Sequence, residues 1–166
     1  MPRWQRPRFV GLAIGATVLL LALSAGSVGS GAGTTLRVSL PDGRVLLRVA
    51  LPPDGAFALR YRNSLYGSLA QERFVVMDGG ALHLTELRAE QLAVLEEYYA
   101  IATTARAVGG PLGLAADPAH VPVIAALQVA ATDRGARTLI VAGHDPIELW
   151  RFVDDRAPQV ILEAEP

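Results

Sequence analysis

Residues 57–87, FALRYRNSLYGSLAQERFVVMDGGALHLTEL, decide the fold. Phe57, Leu59 and Tyr61 alternate with Ala58, Arg60 and Arg62, which gives one strand an apolar face and a charged face. Residues 63–68 form a polar, glycine-containing connection, and 71–77 supply a second strand. Asp78-Gly79-Gly80 is a hairpin signal, because glycine tolerates the positive φ that tight turns need. Residues 81–87 return as a third strand, with Leu82 and Leu84 on one face and His83 and Thr85 on the other.

Working outward, the same grammar repeats. In residues 34–40, Leu36, Val38 and Leu40 alternate with Arg37 and Ser39, the mark of a half-buried strand. Pro41-Asp42-Gly43 turns the chain and 45–51 come back as the hairpin partner. Pro52-Pro53-Asp54-Gly55 then breaks that strand, since neither proline donates to a ladder. Beyond the central stretch, a short helix is expected within 86–102. Leu92, Leu95, Tyr99 and Ala102 share one face there, and Glu86, Glu90 and Glu97 another. Residues 107–122 are rich in Gly, Pro and Ala without a period and predict a long loop. Strands are expected again at 124–131, 137–142, 147–153 and 159–163. They are separated by Asp133-Arg134-Gly135, Gly143-His144-Asp145-Pro146 and Asp154-Asp155-Arg156-Ala157-Pro158. About nine short strands with regular turns predict a mainly β domain, an antiparallel β-sandwich or barrel-like fold with one short helix.

The first 33 residues differ from the rest. Arg3, Arg6 and Arg8 precede 17 uncharged residues, FVGLAIGATVLLLALSA at 9–25, and then the small-residue run GSVGSGAG. A positive start, an apolar middle and a small-residue exit predict an export signal, cleaved or retained as a signal anchor. The expected organisation is therefore a leader at 1–33 and a single β-rich domain at 34–166. That domain would sit in the periplasm, or be tethered with its C-terminal body outside the inner membrane.

Composition narrows the function classes. The 166-residue chain has no cysteine, which excludes disulfides, thiolate metal sites, a cysteine nucleophile and a lipidated cysteine. All 15 basic residues are arginine. Without the three leader arginines the body carries 12 against 16 acids, a net of −4. A mildly acidic body with no basic stripe argues against nucleic acid as a partner.

The densest polar cluster of the body is Arg60, Arg62, Asn63, Ser64, Gln71, Glu72 and Arg73. Arg60, Arg62, Asn63, Ser64 and Glu72 are the candidate recognition patch. Arginine holds a carboxylate by charge-assisted hydrogen bonds that Asn63 and Ser64 would complete. A connection as short as 65–70 is expected to bring Ser64 back near Glu72. The alternative for Asn63-Ser64 is local turn chemistry, since both side chains bond their own backbone after a strand. Arg60 and Arg62 can equally be a solvated pair or partners of Glu72. A serine hydrolase built on Ser64 would need a base and an oxyanion hole, and the G-x-S-x-G elbow is missing. His83, His120 and His144 are far apart in sequence. Asp117-x-x-His120 and His144-Asp145 match no recognised ligand set, so no metal and no cofactor are expected. His144-Asp145-Pro146 is more simply a turn. Glu96-Glu97 is expected as a solvated helix edge.

The pattern of Phe57, Leu59, Tyr61, Asn63, Ser64, Glu72, Phe74, Gly79, Leu82, Leu84 and Glu86 resembles a family of small exported bacterial and archaeal proteins. That family is catalogued as domain of unknown function 1850. The resemblance extends weakly to residues 139–160. The family tends to have His-Ser where this chain has Asn63-Ser64, and its later glycine motif is not clearly matched by Gly109-Gly110-Pro111. The resemblance implies a leader or single anchor, a β-rich body, and an accessory role beside solute transporters of the tripartite ATP-independent periplasmic type. The expected function is a non-enzymatic accessory or binding protein at the periplasmic face of the inner membrane. Its expected partners are transporter components or a small acidic ligand, with the membrane itself reached through an uncleaved leader. A small periplasmic hydrolase using Ser64 is the alternative.

Overall fold

The computed structural model of the protein describes residues 33–99, 105–118 and 123–165, without the side chains of 97–99. The expected leader lies outside the described residues up to position 32. Among the described residues, eleven strands and one α-helix follow in chain order. They are β1 (Thr35–Ser39), β2 (Val45–Ala50), β3 (Ala56–Arg62), β4 (Leu69–Val76), β5 (Leu82–Ala89), α1 (Leu92–Tyr99), β6 (Arg106–Ala107), β7 (Leu114–Ala116), β8 (Leu127–Ala130), β9 (Thr138–Ile140), β10 (Ile147–Glu148) and β11 (Gln159–Glu165). One antiparallel sheet has the order β2-β1-β11-β8, and the other β10-β9-β3-β4-β5-β7-β6.

The two sheets share one core. Leu36, Val38, Val49, Val129, Val160 and Leu162 enter it from the smaller sheet. Phe57, Leu59, Tyr61, Phe74, Leu82, Leu87 and Leu139 enter it from the larger. Of the two expected architectures this is the sandwich, not a closed barrel. Phe57, Leu59 and Tyr61 are buried while Arg60 and Arg62 are exposed, so the alternation of the central strand does set its inner face. Phe57 and Phe74 are cross-strand partners, and their rings stack at 5.2 Å. On the outer face of the smaller sheet, Arg37 pairs with Glu163 and Glu165, and Arg48 with Glu165 at 2.9 Å.

Two bulges shift the expected phases. Between Val38 and Ser39 the pairing of β1 with β2 slips, and Ser39, expected outside, is buried. In β5, Arg73 pairs with Glu86 and Phe74 with Leu84, so Thr85 is the extra residue and donates its hydroxyl to Arg73 O at 3.1 Å. The bulge carries the inner face from Leu82 and Leu84 to Leu87 and Ala89. Glu86 therefore belongs to the strand expected at 81–87, not to the acidic face of the helix expected within 86–102. There it holds Arg88 at 2.8 Å and Arg106 at 3.3 Å.

The helix itself is confined to Leu92–Tyr99 and buries Val94 and Leu95, while Leu92 is exposed. Tyr99 has no described side chain and Ala102 lies outside the described residues. The expected loop at 107–122 is partly structured. β7 pairs with the end of β5 and β6 pairs with β7, tied by Arg106 to Asp117 at 3.0 Å. The strand expected at 147–153 keeps only Ile147–Glu148 and passes into a 3-10 turn at Leu149–Phe152. The nine expected strands have counterparts, and β6 and β7 are additional.

Candidate functional site

The ends of the sandwich differ. β1 enters beside the ends of β2 and β11, with Thr35 opposite Ala50 and Glu165. The other end gathers the start of β11, the end of β8, the end of β3 and the turn before β9. There Tyr61, Arg62, Asn63, Ser64, Ala130, Thr132, Asp133, Arg134, Gly135, Arg137 and Asp155 line a cavity of about 540 Å³. Seven residues of β11 at about 3.3 Å each separate the two ends by roughly 20 Å.

Beneath it is a polar cluster at inward positions of β3, β4 and the residue leading into β9. Tyr61 lies in phase with Leu59, Glu72 with Ala70 and Phe74, and Arg137 with Leu139 and Val141. The Arg137 guanidinium sits 4.3 Å from the Tyr61 ring centre and 3.6 Å from Glu72 Oε2. It also donates from Nε to Ala130 O at 3.1 Å. Tyr61 donates its hydroxyl toward Glu72 Oε1 at 3.4 Å. Both Glu72 and Arg137 side chains are only about one-seventh exposed (14% and 16%), so this arginine is held in a fixed pose rather than waving in solvent.

One wall is the β3–β4 turn. Asn63 is 2% exposed, and its Oδ1 accepts the amides of Leu65 (3.0 Å) and Tyr66 (3.1 Å). Its own amide donates to Ser68 O, and its carbonyl accepts the Gly67 amide, both at 2.8 Å. This is the local turn chemistry that competes with a binding role for Asn63. One group escapes it: Asn63 Nδ2 is buried without a hydrogen-bond partner. Arg62 donates a guanidinium hydrogen to Gly67 O, and Ser64 is exposed at the tip.

The facing wall is the turn Thr132–Ala136. The Gly135 amide is bound by Thr132 Oγ1 at 3.0 Å, and Gly135 O accepts the Arg62 amide at 2.7 Å, which fastens this turn to β3. Ala136 has φ +44°, a left-handed conformation that an alanine adopts only at a cost. Asp155 Oδ1 accepts the Asp133 amide at 3.0 Å. A side-chain hydrogen bond with Asp155, and then repulsion from its charge, raise the Asp133 carboxyl above its ordinary value. The folded pair thus favours protonated Asp133. That contribution is present at pH below the ordinary carboxylate range and is lost as pH rises through the raised value.

Of the candidate patch, the fold brings Arg62, Asn63 and Ser64 into the cavity. Arg60 does not line it. It points from the outer sheet face toward Gln71 Oε1 at 3.4 Å. Glu72 does not line the cavity and joins it through Arg137 and Tyr61. Ser64 is not carried back to Glu72, because the hairpin pairs Leu59 with Glu72 and Arg62 with Leu69. Thr132, Asp133, Arg134, Arg137 and Asp155 were not among the candidates. For Arg137 a signal exists in the sequence, a charge in register with Leu139 and Val141 on the inward face. The others are joined to Asn63 only by strand order.

The described histidines lie at the other end. His83 pairs with Val75 on β5, and His144 Nε2 contacts Ala50 O at 3.1 Å inside its turn. Neither lines the cavity beside Ser64. His120 lies outside the described residues, and Asp117 is engaged by Arg106. Among the described residues no three His, Cys, Asp or Glu side chains gather as metal ligands. Scans of the chain against protein-family models, curated proteins and solved structures return no match.

Proposed function

We propose that the protein is a non-enzymatic binding domain whose cavity at Arg62, Asn63, Ser64 and Arg137 takes the carboxylate of a small acidic ligand. The observation that carries this reading is Arg137. Its guanidinium is fixed by Ala130 O, the Tyr61 ring and Glu72, and it lines a cavity of about 540 Å³, within the size range of small-molecule sites. Arg62 lines the same cavity, and no carboxylate pairs with it among the described residues. Arginine matches a carboxylate geometrically and keeps its charge at every relevant pH.

The leader-like sequence supports export, with the body in the periplasm or anchored to the inner membrane. An anchor entering at Thr35 would put the cavity at the far end of the domain, turned to the aqueous side. The resemblance to domain of unknown function 1850 supports an accessory role beside a tripartite ATP-independent periplasmic transporter. Mild crosslinking of the membrane-associated protein, followed by identification of what is captured, tests that association.

For the cavity, the test is a calorimetric titration of the full-length chain in detergent with simple mono- and dicarboxylates. Arg62→Ala should weaken binding by about 1–3 kcal/mol, the scale of a charge-assisted hydrogen bond, and leave folding nearly unchanged. Unchanged binding in both Arg62→Ala and Ser64→Ala, with the fold intact, would reduce the turn to structural chemistry.

A further inference from the structure

The cavity carries charges of both signs that do not cancel each other. One cavity charge is already paired, Arg137 with Glu72 at 3.6 Å. Arg62 and Arg134 form no ion pair among the described residues, and neither do Asp133 and Asp155, although all four line the same space. Asp133 and Asp155 are neighbours on the cavity wall, the Asp133 backbone amide donating to Asp155 Oδ1 at 3.0 Å. A side-chain hydrogen bond with Asp155, and then repulsion from its charge, raise the Asp133 carboxyl, and a cation beside the two groups relieves that repulsion.

A second observation points to a ligand independently. Asn63 lines the cavity at 2% exposure, its Oδ1 saturated by two backbone amides and its Nδ2 buried without a partner. A buried donor left unpaired is costly, and a carboxylate oxygen is the kind of acceptor that satisfies it. A plain dicarboxylate would suit the arginines and set its second charge against Asp133 and Asp155. A plain amine would suit the acids and meet the arginines. A molecule carrying both groups meets neither conflict.

We infer that the cavity binds a small zwitterion, an amino acid or a close analogue. Its carboxylate lies on Arg62, Arg137 and Asn63 Nδ2, and its ammonium on Asp133 and Asp155. This rests on the carboxylate reading of the cavity and adds the class of ligand. The volume of about 540 Å³ leaves space for a side chain as well.

The experiment is a calorimetric titration of the full-length protein in detergent with amino acids carrying the amine at the α, γ or ε carbon. Each is run beside the deaminated acid and the decarboxylated amine of the same skeleton. At least one amino acid should bind tenfold or more tightly than both of its halves. Asp155→Asn keeps the Oδ1 that accepts the Asp133 amide, so its fold is retained. It should abolish the preference for the amino acid while leaving binding of the acid in place. Equal binding of acid and amino acid overturns the zwitterion assignment and leaves the carboxylate reading standing. A preference unchanged in both Asp155→Asn and Asp133→Asn overturns it too. Absence of binding by every compound in the set overturns both.

Discussion

Leu59→Ala should lower the unfolding free energy by about 2–5 kcal/mol, the usual cost of emptying a fully buried leucine site. Leu59 is 0% exposed at the centre of β3, flanked by β4 and β9, so the lost side chain leaves a hole that two neighbouring strands cannot both close. Arg60→Ala, the next residue along, should stay within roughly 0.5 kcal/mol. Its side chain lies on the outer face with only long contacts to Gln71 at 3.4 and 3.5 Å. Chemical denaturation of the two variants measures the difference. Equal effects would mean that the faces of the central strand are wrongly assigned.

Asn63→Ala should cost about 1–3 kcal/mol, because two amides lose their acceptor inside a turn that the rest of the site is built on. Ser64→Ala, one residue further and exposed, should be nearly neutral. The contrast assigns the structural burden of the pair to Asn63. In denaturant melts, a tolerated Asn63→Ala would show that the turn is held by its backbone bonds alone.

Much of the fold was legible because its information is local. Alternation at Phe57, Leu59 and Tyr61 and glycine turns such as Asp78-Gly79-Gly80 fix strands and reversals within a few residues. What escaped was set by partners distant in sequence. Thr85 becomes a bulge only because β4 imposes its register, and pairing that continues to Ala89 keeps Glu86, expected both at a strand end and on a helix face, in the strand. Residues 114–116 form a strand only because the end of β5 offers an edge. The site divides the same way. Arg62, Asn63 and Ser64 stand out at a strand end, whereas Arg137, Asp133 and Asp155 join them only through the order β9-β3-β4 and the return of β11 beside β8. Glu72 was visible as a candidate. Its inward phase with Ala70 and Phe74 is what turns it from a partner of Arg60 into a support for Arg137.

The most direct test of the binding account is a map of backbone amide resonances in the full-length chain, in detergent, during titration with propionate. A simple carboxylate is sufficient because resonance shifts register weak binding. The account predicts shifts concentrated at Arg62, Asn63, Ser64, Gly135 and Arg137, and suppressed in Arg62→Ala. Shifts confined to the opposite end of the sandwich, around Thr34, Met77 and Gly80, or no saturable shift at all, would contradict it.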